Sequence, residues 1–391
     1  MKVLHLLKTS VGASWAYRQI RQLVALGMEV HVALPPGGKH VEAYQALGVQ
    51  THLLQPDILL RRPWAIPRQL ARLRAIVDAV QPDLVHSHFV GTTFTMRLAL
   101  RGRHALPRVF QVPGPLHLEH PVTRRAEMML ADADDYWIPN CEWSLRCYRE
   151  AGFSAERLFL GHYGKEFDQF VAGAPGKLRA ELGADAATRI VGMVALMYPP
   201  KRLIGQTRGI KGHEDLIDAM AICLQADPSL LLVLVGGGWG ATTAYEQRVR
   251  AYGRRKCGDR VVFLGTRADV MDLYPDFTVA VHPSHSENHG GAVESLLLGI
   301  PTVTTNVGGF PDIIINGDTG LAVPPRDPRA LAAAIQQMLD HPADARAMAE
   351  RGRLLVSEIS NIVTNSRNVY NAYQQILERH PSRPIIAKEH P

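Results

Sequence analysis

Short apolar runs that end in polar loops alternate along this chain with stretches of helical period, and that alternation leaves few folds open. An apolar run covers residues 1–8, a turn follows at Ser10-Val11-Gly12-Ala13, and apolar positions then recur at helical spacing from Trp15 to Leu26. Glu29-Val30-His31-Val32-Ala33-Leu34 reads as a second strand. The same rhythm predicts a helix near 40–47, a strand at 51–54, a long helix near 64–80 and a strand at 83–88. Strands joined through helices form a parallel sheet covered on both faces, with ligands at the carboxyl ends of the strands.

At 391 residues the chain is too long for one core, so two domains are expected. A Gly-, Ala- and Asp-rich stretch at 171–188 carries few bulky apolar residues and precedes a new strand at 189–194, which places a boundary near residue 180. The expected division is an N-terminal domain over 1–180, a C-terminal domain over 181–365, and a helix with a mobile, Pro-rich tail over 366–391. In the second half, strands at 230–235, 261–264 and 279–283 alternate with helices at 214–224 and 245–254, and helices near 329–339 and 368–377 follow. The fold class is therefore α/β, with two doubly wound domains facing each other across a cleft that could hold two substrates and exclude water.

Composition excludes several function classes. No apolar run approaches the roughly 20 residues that span a bilayer, and the opening run is too short for a signal peptide, so a cytoplasmic protein is expected. The cysteines, Cys141, Cys147, Cys223 and Cys257, show no C-x-x-C spacing and read as reduced thiols. A net charge of +6 suits anionic ligands or lipid surfaces and is too small to argue for nucleic acid.

The chemistry concentrates in Pro283-Ser284-His285-Ser286-Glu287-Asn288-His289-Gly290-Gly291-Ala292-Val293-Glu294, which runs from a strand through a polar loop into a helix closed by Gly299-Ile300-Pro301. Paired glycines at a helix start let backbone N–H groups approach an anion such as a diphosphate. Glu294, one turn inside, can accept hydrogen bonds from the hydroxyls of a ribose, and Glu287 can address sugar hydroxyls. A solvated loop with two surface carboxylates is the competing reading of these residues alone.

This segment resembles the donor-binding motif of glycosyltransferase family 4, retaining enzymes of the GT-B fold with two Rossmann-like domains. Ser286-Glu287, Gly290, Glu294, Gly299-Ile300-Pro301 and Gly308-Gly309 follow the family's order. Asn316-Gly317-Asp318-Thr319-Gly320-Leu321-Ala322-Val323 is similar to its next turn, Lys211-Gly212 heads its usual helix, and strands ending at Gly236-Gly237-Gly238 and Gly265 look like those that flank the nucleotide. The resemblance implies a sugar transferred from a nucleotide diphosphate, UDP first, to an acceptor hydroxyl with retention. It implies no metal and no cofactor beyond that donor, in polysaccharide or glycoconjugate synthesis, with a sugar, lipid-linked or small-molecule acceptor. By the same carry-over Glu294 binds the ribose and Glu287 the transferred sugar. Backbone at His289, Gly290 and Gly291 meets sugar and diphosphate, Gly237 flanks the nucleotide, and Gly12 in the first loop approaches the donor.

The chain departs from the family at three places. Six residues, 288–293, separate the two glutamates, one fewer than usual. Leu196 stands where many relatives carry an arginine for the diphosphate, and an insertion, Lys201 to Ile210, delays Lys211. Lys201, Arg202, Arg208 and Lys211 are the candidate replacements, with Lys211 and Lys201 first. Pro113 replaces an expected histidine, and His117 in the longer loop is offered in its place; a surface histidine is the competing reading.

Other features divide between chemistry and structure. His86 and His88 alternate at a strand end with no third metal ligand evident, so His88 is expected to line the cleft and His86 to pack. Asp132-Ala133-Asp134-Asp135 spells a D-x-D that reads as a solvated helix end. Arg61, Arg62, Trp64, Arg68 and Arg72 form a basic, aromatic stretch suited to peripheral contact with an anionic membrane or to an ordinary solvated helix face. Two rival functions share the donor motif: a UDP-sugar 2-epimerase, and a non-catalytic sugar-nucleotide-binding subunit of a transferase complex.

Overall fold

The computed structural model describes residues 1–201, 205–238 and 243–380, and divides into two units. Unit 1 comprises residues 1–165 with the segment from Asn361, and unit 2 runs from Glu166 to Ser360. In unit 1 the order is β1 (Lys2–Leu6), α1 (Ser14–Ala25), β2 (Glu29–Leu34), α2 (Lys39–Ala46), β3 (Gln50–Leu53), α3 (Ile66–Val80), β4 (Leu84–Ser87) and α4 (Val90–Leu100). It continues with β5 (Arg108–Gln111), α5 (Leu116–Glu119), α6 (Pro121–Leu130), β6 (Asp135–Ile138) and α7 (Glu142–Glu150).

Unit 2 holds α8 (Lys177–Leu182), β7 (Ile190–Val194), α9 (His213–Ala226), β8 (Leu231–Val235), α10 (Ala244–Cys257), β9 (Val261–Gly265) and α11 (Val270–Leu273). After these come β10 (Val279–His282), α12 (Ala292–Leu297), β11 (Thr302–Thr305), α13 (Phe310–Ile313), β12 (Leu321–Val323), α14 (Pro328–Asp340) and α15 (Pro342–Ile359). The last helix, α16 (Ile362–Arg379), returns to unit 1.

Each unit contains a six-stranded parallel sheet among the described residues, ordered β3-β2-β1-β4-β5-β6 and β12-β11-β10-β7-β8-β9. Both are the doubly wound order, which reverses direction beside the first strand of each unit and opens a crevice there. Central strands such as Leu231–Val235 are buried along their whole length, because helices cover both faces.

The division differs from a boundary near 180 with a separate C-terminal piece over 366–391. The stretch 171–188 joins unit 2 because the Asp276 carboxylate accepts N–H bonds from Gly176 (2.7 Å), Leu178 (2.8 Å) and Arg179 (3.1 Å), which satisfies the start of α8. Helix α16 belongs to unit 1 because Val369, Tyr373 and Ile376 fill its core with Ile20 and Leu23 of α1. The expected tail, residues 381–391, lies outside the described residues.

Unit 1 also buries an ion cluster. Glu127 of α6, with no exposed surface, accepts from Arg97 of α4 at 3.0 and 3.1 Å and from Trp137 Nε1 at 2.9 Å. Arg97 also pairs with Asp135 (3.1 Å), to which Arg108 Nε donates at 2.8 Å. The D-x-D is thus not a solvated helix end: Asp134 and Asp135 are buried, and Asp132 accepts from Arg108. All four cysteines are buried. No described helix is long and apolar enough to cross a membrane.

Candidate active site

In unit 2 the strand order reverses between β7 and β10, and a cavity of about 300 Å³ opens at the carboxyl ends of these strands and of β8. That is the size of a small-molecule site in the place where doubly wound sheets bind ligands. Its walls include Leu196 and Tyr198 after β7, Gly236 after β8, Thr266 and Arg267 after β9, and His282 and Ser284 at the end of β10. Lys211, Glu287, Gly291 and Glu294 complete the polar lining.

Glu287 sits in a loop that is anchored at several points. Its carbonyl accepts from Gly309 N–H at 3.1 Å, and its carboxylate accepts from Lys211 Nζ, from Asn288 N–H at 3.2 Å and from Ser284 Oγ at 3.4 Å. Burial raises its pKa, but the Lys211 charge, the Lys211 hydrogen bond and the Asn288 N–H outweigh it, so the carboxyl is held below its ordinary range. Lys211 reaches it because His285 N–H donates to Ile210 O at 2.8 Å, tying the residue before Lys211 to the loop that carries Glu287.

Two glycines permit the approach. Gly212, the N-cap of α9, has φ +75°, and a Cβ there would run into the Pro283 carbonyl. Gly212→Ala is expected to cost about 1–2 kcal/mol from the left-handed backbone, with more from the clash. A urea midpoint equal to wild type would contradict this. Gly291 sits with Val194 O at 3.2 Å from the position of a Cβ, so a side chain would close the cavity floor.

The cavity therefore unites Glu287, Lys211, Gly291 and Glu294, four of the residues singled out by sequence. Gly290, at φ +46°, lies where a Cβ would meet the Glu287 carboxyl. Gly237 is one residue from the wall, its carbonyl accepting from Met197 N–H at 2.9 Å. His289 is buried, with Nε2 3.7 Å from Asp312.

Other candidates fall elsewhere. Arg208 spends its guanidinium on Asp215 (2.6 Å) and Asp218 (2.8 Å), which hold it charged and away from the wall. Lys201 is exposed and does not line the cavity. Arg202 lies outside the described residues.

In unit 1, His117 is not a surface group. It is buried beside Phe110 with Nε2 3.3 Å from the Tyr148 hydroxyl, and burial lowers its pKa. Gly12 N–H is held by Thr9 Oγ1 at 3.3 Å, and it is Ala13 that adopts the positive φ of this loop, +64°.

His88 is fully buried, and a third histidine missed in the sequence joins it: His5 Nδ1 lies 2.8 Å from His88 Nε2, beside His86. The register explains the meeting, since His5 of β1 pairs with His86 of β4 and His88 follows two residues on, on the same face. The three ring planes lie 15–28° apart, and one nitrogen from each ring falls within 4.8 Å of the others, so the structure supplies the third ligand that the sequence did not show.

Sequence reasoning overlooked His282, Tyr198, Thr266 and Arg267. His282, at a strand end before a polar loop, had the right position to be found. Burial drops its pKa to about 4, so it is a neutral imidazole in the wall, with Nε2 3.1 Å from Ser295 Oγ. Arg267 carries no sequence signal; it is aimed by Glu181 (2.7 and 3.0 Å) and Asp269 (2.8 and 2.7 Å).

Comparison with known proteins bears on the family and the fold. The family model for glycosyltransferase family 4 matches residues 12–164, and that for glycosyl transferases group 1 matches residues 203–355. The chain belongs to glycosyltransferase family 4. It is 27% identical over 349 residues to a D-inositol 3-phosphate glycosyltransferase of Acidothermus cellulolyticus, covering 82% of this chain and 76% of that one. A glycogen synthase of Mycobacterium tuberculosis is 34% identical over 197 residues, 48% of this chain and 45% of the relative. The crystal structure of Anabaena HepE in complex with UDP superposes with a TM-score of 0.78 at 22% identity, covering 96% of this chain and 100% of that one. The fold of this glycosyltransferase is GT-B, with two Rossmann-like units.

Proposed function

We propose that unit 2 holds a UDP-sugar and that the protein transfers the sugar, with retention, to the hydroxyl of a sugar, lipid-linked or small-molecule acceptor in polysaccharide or glycoconjugate synthesis. The observation that carries this reading is the cavity at the β7/β10 reversal, where Lys211, Glu287 and Glu294 face one space of about 300 Å³. UDP and UDP-glucose occupy the crystal structures of HepE, which share the fold.

In this reading the diphosphate lies against Lys211 and the backbone at Gly290 and Gly291, and Glu294 accepts from the ribose hydroxyls. The incoming phosphates compete for the Lys211 ammonium, and Glu287 then turns its lone pairs to the hydroxyls of the transferred sugar. Cleavage of the anomeric C–O bond moves negative charge onto the departing UDP, so the lysine matters more in the transition state than in the ground state. A donor phosphate oxygen takes the acceptor proton as the new bond forms on the same face. No protein base is required, in keeping with a buried His117.

Glu294→Ala is expected to weaken UDP binding by about 1–3 kcal/mol, the worth of charged hydrogen bonds to hydroxyls. Calorimetry showing unchanged affinity would remove the ribose assignment. Incubation with donor and no acceptor separates the first rival, since epimerised UDP-sugar would indicate a 2-epimerase. With acceptors supplied as well, UDP binding without any turnover would indicate the non-catalytic subunit. NMR of the anomeric proton in the product tests retention.

A further inference from the structure

The basic stretch singled out in the sequence has a counterpart that only the fold reveals. Helices α3, α4 and α6 pack in that order on one face of the unit 1 sheet, with α4 largely buried between its neighbours. On α3 the buried stripe is Gln69, Leu73, Val77 and Val80, so Arg68, Arg72 and Ala75 point outward. Just before the helix, Leu60 is 73% and Trp64 76% exposed, with Arg61 and Arg62 exposed between them. On α6, opposite buried Glu127, the exposed positions are Val122 (70%), Arg125 and Met129 (71%).

Large apolar side chains are thus left in water at two places on the same helix layer, just before α3 and on α6, with α4 between them and arginine at each. No acid occurs from Ile58 to Val77, and the acid of α6, Glu127, is consumed internally by Arg97. Asp78, at the far end of α3, is occupied by Arg103. A protein partner of ordinary composition would need matching carboxylates and a pocket for Trp64. A bilayer with anionic headgroups meets the arginines with phosphates and takes Trp64, Leu60, Val122 and Met129 into its interfacial zone.

We propose that this face of unit 1 docks on an anionic lipid surface. The inference does not depend on the donor reading, which concerns unit 2.

The test is sedimentation of the full chain with vesicles of phosphatidylglycerol and phosphatidylcholine in equal parts, beside pure phosphatidylcholine. Binding is expected only to the anionic vesicles and is expected to weaken with added salt. A double variant, Arg68→Glu with Arg72→Glu, is expected to lose about tenfold or more of that binding, and Trp64→Ala several-fold. These exposed substitutions should leave the melting temperature and UDP affinity unchanged, so failure here is distinguishable from failure of the donor site. Absence of sedimentation, equal binding to both vesicle types, or undiminished binding by the variants would overturn the proposal. The first of these would leave a protein partner as the occupant of the face.

Discussion

Lys211→Ala is expected to lower kcat by about 10²–10³-fold while weakening UDP binding far less, the usual scale for deleting one preorganised group that meets developing charge. Among the described residues that line the cavity, Arg267 is the other cation, and Glu181 and Asp269 already hold it. Leu196, also in the wall, supplies no charge. In the proposed reading the burden of stabilising the departing diphosphate falls, among the described residues, on Lys211. Steady-state kinetics with a separate UDP titration decide the matter: equal losses in affinity and turnover would mean uniform binding, not transition-state stabilisation. Because Glu287 loses its counter-ion in this variant, Lys211→Met combined with Glu287→Gln should show whether the defect comes from the missing cation or the unpaired acid.

Glu127→Ala is expected to destabilise unit 1 by about 3–5 kcal/mol, the cost of leaving a buried charge without its partner. Arg97 would keep Asp135 but lose both bonds to the Glu127 carboxylate, and Trp137 Nε1 and the Tyr148 hydroxyl would lose their acceptor. Burial favours the neutral form of Glu127, yet the charges of Arg97 and His117 and the bonds from Trp137 and Arg97 prevail, so its pKa is lowered. A carboxyl lowered in the folded state contributes stability above its unfolded pKa and loses it as pH falls through the folded value. Wild type should therefore weaken in acid below about pH 4, the ordinary range of a glutamate, and Glu127→Gln should show a shallower slope there. Urea denaturation across pH, followed by near-ultraviolet circular dichroism, measures both. An unchanged midpoint for Glu127→Ala would refute the role assigned to the cluster.

The parts of the fold legible in the chain were those whose burial is one-sided or whose turn residues are unambiguous. Helix α9 and strand β8 lie within two residues of their expected limits. Helix α4 escaped because seven of its residues are buried, including Thr92, Thr93 and Thr95, so it presents no polar face from which a helical period could be read. The same limit explains His5 in the histidine stack. It lies in an apolar strand far from His86 in sequence, and only the parallel register of β1 with β4 puts the two side by side.

The cavity-lining loop was legible because backbone needs there are local: glycines where a side chain cannot fit, an acid one turn into a helix, and a lysine at a helix start. What the cations do was not legible, since Lys201, Arg208 and Lys211 fall within eleven residues of one another and sequence does not show which of them an acid takes, whereas in the structure Asp215 and Asp218 pair with Arg208. Local residue pattern alone determined the alternating α/β class, the family, and the loop holding Glu287 and Glu294. The tertiary structure alone decided that α16 completes unit 1, that His117 is buried against Phe110 and Tyr148, and that Lys211 meets Glu287. Those outcomes depend on contacts between residues distant in sequence, whose free energy exists only once the intervening chain has folded.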